Sequence, residues 1–98
     1  MRLKKKSILE LVPVPRKGLE LTHIEGEGLL YSYEKETMVY LNDSAVTVWR
    51  LCDGKRTVRE ITDLLASTYT DAAEKIYIDV SDTIEHLRQV GVLELGDA

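Results

Sequence analysis

The chain has 98 residues, of which 44% are hydrophobic and 31% are charged, as in an ordinary soluble globular domain. A chain of this length forms one domain with a modest core, which leaves little room for a deep enclosed active site. The net charge of −4 is unevenly divided, because residues 1–17 carry +5 and residues 18–98 carry −9. The acidic body disfavours nucleic-acid binding as a primary role, since such binding depends on Lys and Arg that neutralise phosphates.

The cysteine and histidine content excludes two further classes of protein. Cys52 is the only cysteine, so no internal disulfide can cross-link the fold, and His23 and His86 are too few for a zinc site. No apolar run reaches the roughly 18 residues of a membrane-spanning helix, and the basic start of the chain lacks the apolar stretch of a signal peptide. We therefore expect a cytoplasmic protein without a metal, a cofactor or a membrane partner.

The first seventeen residues are predicted to form a basic, partly flexible N-terminal tail. Pro13 and Pro15 favour an extended backbone at their own positions and at the residue before each of them. We expect residues 1–6 to be mobile and residues 8–14 to be extended and able to lie against the body. The folded domain is then predicted to span residues 18–95, with a fraying C-terminal tail at residues 96–98.

Three short β-strands are predicted in the first half of the domain. Apolar and polar residues alternate over residues 19–24, and the glycine-containing residues 25–28 provide turn chemistry. Residues 29–33 are rich in aromatic side chains, and residues 37–41 form a third run with β propensity. Because the links are short, these runs predict a three-stranded antiparallel meander that needs helices on one face for stability.

The hydrophobic period becomes helical after residue 41. Residues 42–44 offer N-cap side chains for a first helix, and Thr57 with Glu60 forms a capping box for a second. Thr70-Asp71 is predicted to cap a third and longest helix. The order β-β-β-α-α-α predicts one α+β domain that resembles a winged helix-turn-helix.

No group of residues predicts catalysis. Cys52 lies at helical spacing from Trp49 on a stripe that we interpret as core, without a histidine near it in sequence. Acidic residues of the third helix fall on its solvated face, and Gly26 and Gly28 belong to a hairpin turn rather than to a phosphate loop. We therefore predict that the chain is not an enzyme.

The third predicted strand suggests a binding function. Residues 37–41 contain no Pro, Lys or charge, which are the usual means of protecting an exposed strand edge. Such an edge can pair with an extended peptide by β-augmentation. Ile78 supports this reading, since it lies outside the apolar arc of the third helix and could line a groove beside the strand.

Two alternatives remain open from the residues alone. In a winged-helix DNA-binding regulator the third helix would enter the major groove, but residues 71–91 carry a net charge of −3. A basic cluster around the first inter-helix turn is either a site for an acidic partner or an ordinary solvated turn; it comprises Arg50, Lys55, Arg56 and Arg59. In a homodimer, residues 8–14 would pair with the third strand of a neighbouring copy.

Several runs of the sequence resemble the PqqD family, which comprises pyrroloquinoline quinone biosynthesis protein D and the related RiPP precursor recognition elements. They are LNDSA at residues 41–45, VWRLCDGKRTVREI at residues 48–61 and GVL at residues 91–93, together with Asp79, Val80, Ile84, Leu87 and Arg88. The resemblance covers residues 41–95 closely and residues 18–40 loosely. The chain departs from the pattern at Cys52, where the family often has another apolar residue, and in its unusually basic tail.

The resemblance implies a non-catalytic module that binds the leader of a ribosomally made precursor peptide. In such domains the leader adds as a strand to the third β-strand, packs toward the third helix and is presented to a modifying enzyme such as a radical SAM protein. Carried onto this chain, the implied peptide-binding residues are Thr37, Met38, Val39, Tyr40 and Leu41 on the strand and Tyr77, Ile78, Ser81, Asp82 and Glu85 on the helix.

Overall fold

The computed structural model describes residues 7–69 and 72–97. In chain order the elements are a 3-10 turn (Ile8–Glu10), β1 (Leu11–Pro15), β2 (Leu19–Ile24), β3 (Glu27–Ser32), β4 (Thr37–Asn42), α1 (Asp43–Leu51), α2 (Val58–Thr68), α3 (Ala73–Gln89) and β5 (Leu93–Asp97). The predicted fold class is confirmed: three antiparallel strands, now β2, β3 and β4, precede three helices. The expected mobility of residues 1–6 and the predicted Thr70-Asp71 cap lie outside the described residues.

The central sheet has the strand order β2-β3-β4. Glu25 and Gly26 both have positive φ, as a two-residue type I′ hairpin requires, and they connect β2 to β3. Because Leu30 and Leu41 are buried while Leu29 and Tyr40 are exposed, one face of the sheet covers the core and the other faces solvent. This arrangement leaves β4 at one edge of the sheet.

The first helix is attached closely to this sheet. Asn42 ends β4 and caps α1, since its Oδ1 accepts a hydrogen bond from the Ala45 amide at 2.8 Å. Gly28 lies opposite Leu41, and a Cβ added at Gly28 would clash with Cγ2 of Val46. The glycine thus allows α1 to approach the sheet, which fixes the helix at the end of the edge strand.

The second helix begins with the capping box that the sequence predicts. Thr57 Oγ1 accepts from the Glu60 amide at 3.1 Å, and the Glu60 carboxylate accepts from the Thr57 amide at 2.9 Å. The third helix buries one side against α2 and α1, through Ile76, Val80 and Ile84. Helix α3 begins at Ala73 without a side-chain cap.

Residues 11–15 and 93–97, which include parts of the two tails that the sequence predicts, form a second, two-stranded sheet. Strand β1 pairs antiparallel with β5, where Pro13 lies opposite Leu95 and Pro15 opposite Leu93. The Arg16 amide donates to Val92 O at 3.0 Å, so alternation places both prolines where an N–H would point away from β5. They therefore remove no hydrogen bond from the ladder, and Pro13 is fully buried.

Candidate functional site

The hydrogen-bond pattern of the sheet determines which amides of β4 are open. The Tyr33 amide donates to Gly18 O at 2.9 Å, and the register places these two residues opposite each other at the end of β2 and β3. Hydrogen-bonded pairs alternate along an antiparallel ladder. Tyr31 and Leu29 therefore bond to β2, whereas the N–H and C=O groups of Leu30 and Gly28 point toward β4.

The same alternation continues into β4. Val39 lies opposite Leu30 and Leu41 opposite Gly28, so the backbone groups of these two residues bond to β3. The backbone N–H and C=O groups of Met38 and Tyr40 consequently point to the other side of the strand. No described strand pairs with that side. Strand β4 thus offers alternate donors and acceptors to a further strand.

An open groove runs between β4 and α3. One wall is formed at the end of the strand and the start of α1, by Tyr40, Leu41, Asn42 and Ala45. The other wall is formed by α3, through Asp82, Thr83, His86 and Leu87. The groove therefore lies beside the open edge, so one face of a strand added to β4 would be directed into the groove.

The structure distributes the predicted helix residues over two sides of α3. At 100° per residue, Tyr77, Ser81 and Glu85 project roughly 150° away from the side that lines the groove. Ile78 is half exposed and lies one turn before Asp82, which is the one predicted helix residue that lines the groove. Sequence reasoning missed Thr83 and His86, although His86 lies four residues after Asp82 and three after Thr83, which are the spacings that place side chains on one side of a helix.

A second pocket continues the groove between the three helices. It shares Thr83 with the groove, and its floor is apolar because it includes Val48, Leu65, Ile76 and Val80. Its polar residues are Ser44, Thr47, Tyr69, Asp79 and Thr83. The concave surface thus extends from the edge of β4 to the end of α2.

The groove has an acidic rather than a basic surround. Asp82 lines the groove itself and Asp79 lines the adjoining pocket. At the first turn of α1, Asp43 Oδ1 lies 3.1 Å from Nε2 of His23. The basic cluster lies elsewhere, at the turn between α1 and α2, where Arg56 is paired with Asp53 at 2.9 Å. A bound segment would therefore meet carboxylates beside apolar surface.

The described residues contain no arrangement suited to nucleophilic or metal chemistry. Burial, with a smaller effect from Asp53, raises the pKa of the Cys52 thiol to about 12, so the reactive thiolate is scarce at neutral pH. Across residues 7–69 and 72–97, no three His, Cys, Asp or Glu side chains form a group that could hold a metal ion. No helix in this part of the chain is long and apolar enough to cross a membrane.

Solved structures share this fold. A chain described as "TbiB1 in Complex with the TbiA(beta) Leader Peptide" superposes with a TM-score of 0.72 at 21% identity, covering 83% of this chain and 94% of TbiB1. A lasso peptide synthetase B1 complexed with the leader peptide gives 0.71 at 15% identity, covering 84% and 96%. These likenesses define the class: a small winged-helix-like α+β domain in which a three-stranded sheet precedes three helices.

Closer relatives give the family. Residues 27–93 match the model of the family described as coenzyme PQQ synthesis protein D. A "PqqA binding protein" of Bradyrhizobium diazoefficiens is 30% identical over 81 residues, or 83% of this chain and 79% of the relative. The PqqD truncation of Methylobacterium extorquens PqqCD, described as a stand-alone RiPP recognition element, is 31% identical with a TM-score of 0.72, covering 90% of this chain and 93% of the truncation. This chain belongs to the PqqD family.

Proposed function

We propose that this chain is a non-catalytic module that binds the leader segment of a ribosomally made precursor peptide by adding it as a strand to β4. The observation that carries the proposal is the pair of open backbone positions at Met38 and Tyr40, which border the groove between β4 and α3. Main-chain hydrogen bonds would hold the extended leader, and the side chains on its inner face would enter the groove.

The relatives support the same conclusion. The Bradyrhizobium relative is named for its binding of PqqA, and both TbiB1 and the lasso peptide synthetase B1 were solved with a leader peptide. Three of the five helix residues implied by the family resemblance lie on the other side of α3. We therefore assign the inner wall of the site to Asp82, Thr83 and His86, with Ile78 at its end.

We further propose that a separate modifying enzyme, such as a radical SAM protein, acts on the peptide that this chain holds. The proposal follows from the absence of a catalytic group among the described residues and from an open groove, which leaves much of a bound peptide accessible. The Methylobacterium relative was solved as a truncation of the longer PqqCD, so the recognition domain exists there within a larger chain.

The DNA-binding alternative has weaker support. Helix α3 would be the recognition helix of a winged helix-turn-helix, and its residues 73–89 carry four acidic residues against Lys75 and Arg88. That net charge of −2 repels phosphates. The homodimer route through residues 8–14 is also disfavoured, because residues 11–15 already pair with β5 of the same chain.

The decisive experiment removes one open amide of β4. Met38→Pro deletes an outward N–H of β4 without breaking the β3–β4 ladder, and should weaken leader binding about tenfold or more. The measurement is a titration of the ¹⁵N-labelled chain with the leader of a precursor encoded beside it, with PqqA as a second peptide. Backbone shifts should concentrate at residues 37–42 and 82–87.

The matched control lies on the opposite edge of the sheet. In β2 the alternation points the His23 amide away from β3, so His23→Pro removes an equivalent outward N–H at the opposite edge, and His23→Ala is measured beside it because both changes also remove the contact between the His23 ring and Asp43. The affinity of His23→Pro for the leader should stay within about twofold of the unmodified chain. Undiminished binding by a folded Met38→Pro variant, or shifts confined to the Arg50–Arg59 turn, would contradict the proposed mode.

A further inference from the structure

The solvent face of the central sheet carries an apolar block next to the open edge. The register places Leu29 opposite Tyr40 and Tyr31 opposite Met38, so four large side chains form two adjacent cross-strand pairs. Met38 is 59% exposed, Tyr40 56% and Leu29 42%, so this part of the sheet faces solvent. We name these four residues the outer block. The block lies on the solvent side of the sheet, whereas the groove lies toward α3, and Tyr40 is the member of the block that also lines the groove.

Strand addition brings this block into contact with the bound peptide. Residues directly opposite each other in neighbouring strands place their side chains on the same face of the sheet. The amides of Met38 and Tyr40 point to the open edge, and the side chains of both residues lie on the solvent face. Two leader residues separated by one position must therefore place their side chains beside Met38 and Tyr40, while the residue between them faces the groove.

We propose that Met38 and Tyr40, the β4 half of the outer block, form a specificity surface that selects leaders with apolar, β-branched or aromatic side chains at these two alternate positions. This inference rests on the proposed function, because it requires a leader strand on β4. The two faces of the bound leader then contact different parts of the chain. The inner face contacts the groove residues of α3, and the outer face contacts the side chains of Met38 and Tyr40 on β4.

Hydrogen bonds within the sheet hold the aromatic members in place. The Tyr40 hydroxyl donates to the Glu27 carboxylate at 3.1 Å, and Glu27 lies diagonally across β3 from it. Tyr31 packs edge-to-face against Tyr33 with ring centroids 4.8 Å apart, and the Tyr33 hydroxyl donates to Glu20 at 3.0 Å. Because the Tyr40 hydroxyl already donates its proton to Glu27, Tyr40 presents its ring, rather than a free hydrogen-bond donor, to a neighbouring strand.

The experiment selects peptides from a phage-displayed library of random twelve-residue sequences on the full chain. The recovered peptides should share two apolar residues separated by one position. Peptides selected on the Met38→Lys variant should carry Asp or Glu at one of these two positions at least fivefold more often than peptides selected on the unmodified chain. The reason is that an acidic residue directly opposite Lys is favourable. Leu29→Lys is the control, since Leu29 lies on the same face but one strand farther from the edge, roughly 10 Å from an added strand.

The outcomes separate this inference from the function on which it rests. If peptides are recovered and Met38→Pro abolishes their binding, but Met38→Lys leaves their sequences unchanged, the outer block has no role in specificity and leader binding at β4 stands. If Leu29→Lys introduces acidic residues as strongly as Met38→Lys, the selection reflects general charge and the inference fails. If no peptide is enriched, or Met38→Pro leaves binding intact, strand addition at β4 fails and the inference with it.

Discussion

At Cys52 a buried thiol connects the core to the pH dependence of stability. Its side chain is 3% exposed, and its Sγ donates to Val48 O at 3.2 Å within α1. Burial raises the pKa of this thiol to about 12 in the folded chain, whereas an exposed cysteine ionises near pH 8.5. The unfolded chain therefore releases this proton first as the pH rises. The folded state loses stability from about pH 9 up to about pH 12.

The variant Cys52→Ala should remove this pH dependence. Below pH 8 the difference in unfolding free energy between the unmodified chain and the variant should be constant. At pH 10.5 the unmodified chain should be less stable relative to the variant by about 2–3 kcal/mol than it is below pH 8, since pH 10.5 lies about two units above the pKa of the unfolded thiol and each unit corresponds to about 1.4 kcal/mol. Urea denaturation under reducing conditions from pH 7 to 10.5 measures the difference, and a difference independent of pH would contradict the burial of an un-ionised thiol.

At the scale of elements, the pairing of β1 with β5 is the feature that the local sequence does not predict. The alternation and turn residues of the central sheet, and the capping box of α2, are local signals, and the structure confirms the elements they predict. Pro13 and Pro15 favour the interpretation of residues 11–15 as a tail, because the local sequence does not show whether an N–H at these positions would point toward a neighbouring strand or away from it. Pairing with β5, almost eighty residues away, decides that direction.

The candidate site was predictable to a similar degree. The order of the predicted meander, together with the unprotected run at residues 37–41, predicts the edge strand. Which amides of the strand face outward follows only from the ladder, since a shift of one residue exchanges the two faces. Which residues form the helix wall depends equally on the rotation of α3 about its axis, which is set by packing against α2 and α1. Asp82 was assigned to the groove side, whereas Thr83 and His86 were not.

The packing of β1 predicts unequal costs for two neighbouring valines. Val12 is 6% exposed and Val14 is 40% exposed in the same strand. Val12→Ala should lower the free energy of unfolding by about 1–2.5 kcal/mol through lost burial and a residual cavity. Val14→Ala, the matched control, should cost less than about 0.5 kcal/mol. Thermal or urea denaturation measures both, and equal small effects would show that residues 11–15 do not belong to the folded domain.

At the scale of the whole molecule, charge distribution favours basic peptides over nucleic acid. Residues 18–98 carry a net charge of −9, and acidic side chains at Asp79 and Asp82 line the concave surface. A leader with several Lys or Arg should bind several-fold more weakly at 500 mM than at 50 mM NaCl, because salt screens exposed charges. A neutral peptide should show little change. Fluorescence anisotropy measures both, and tight, steeply salt-dependent binding of duplex DNA would instead favour the regulator.

The antiparallel pairing of β1 with β5 also has a consequence for protein architecture. Leu11 lies directly opposite Asp97, so the first strand begins beside the point where the last strand ends. A domain with adjacent ends can be joined to another protein through either end, or inserted into a surface loop, without stretching its own backbone. The same sheet that completes the core therefore makes this unit easy to transfer between polypeptides as an intact cassette.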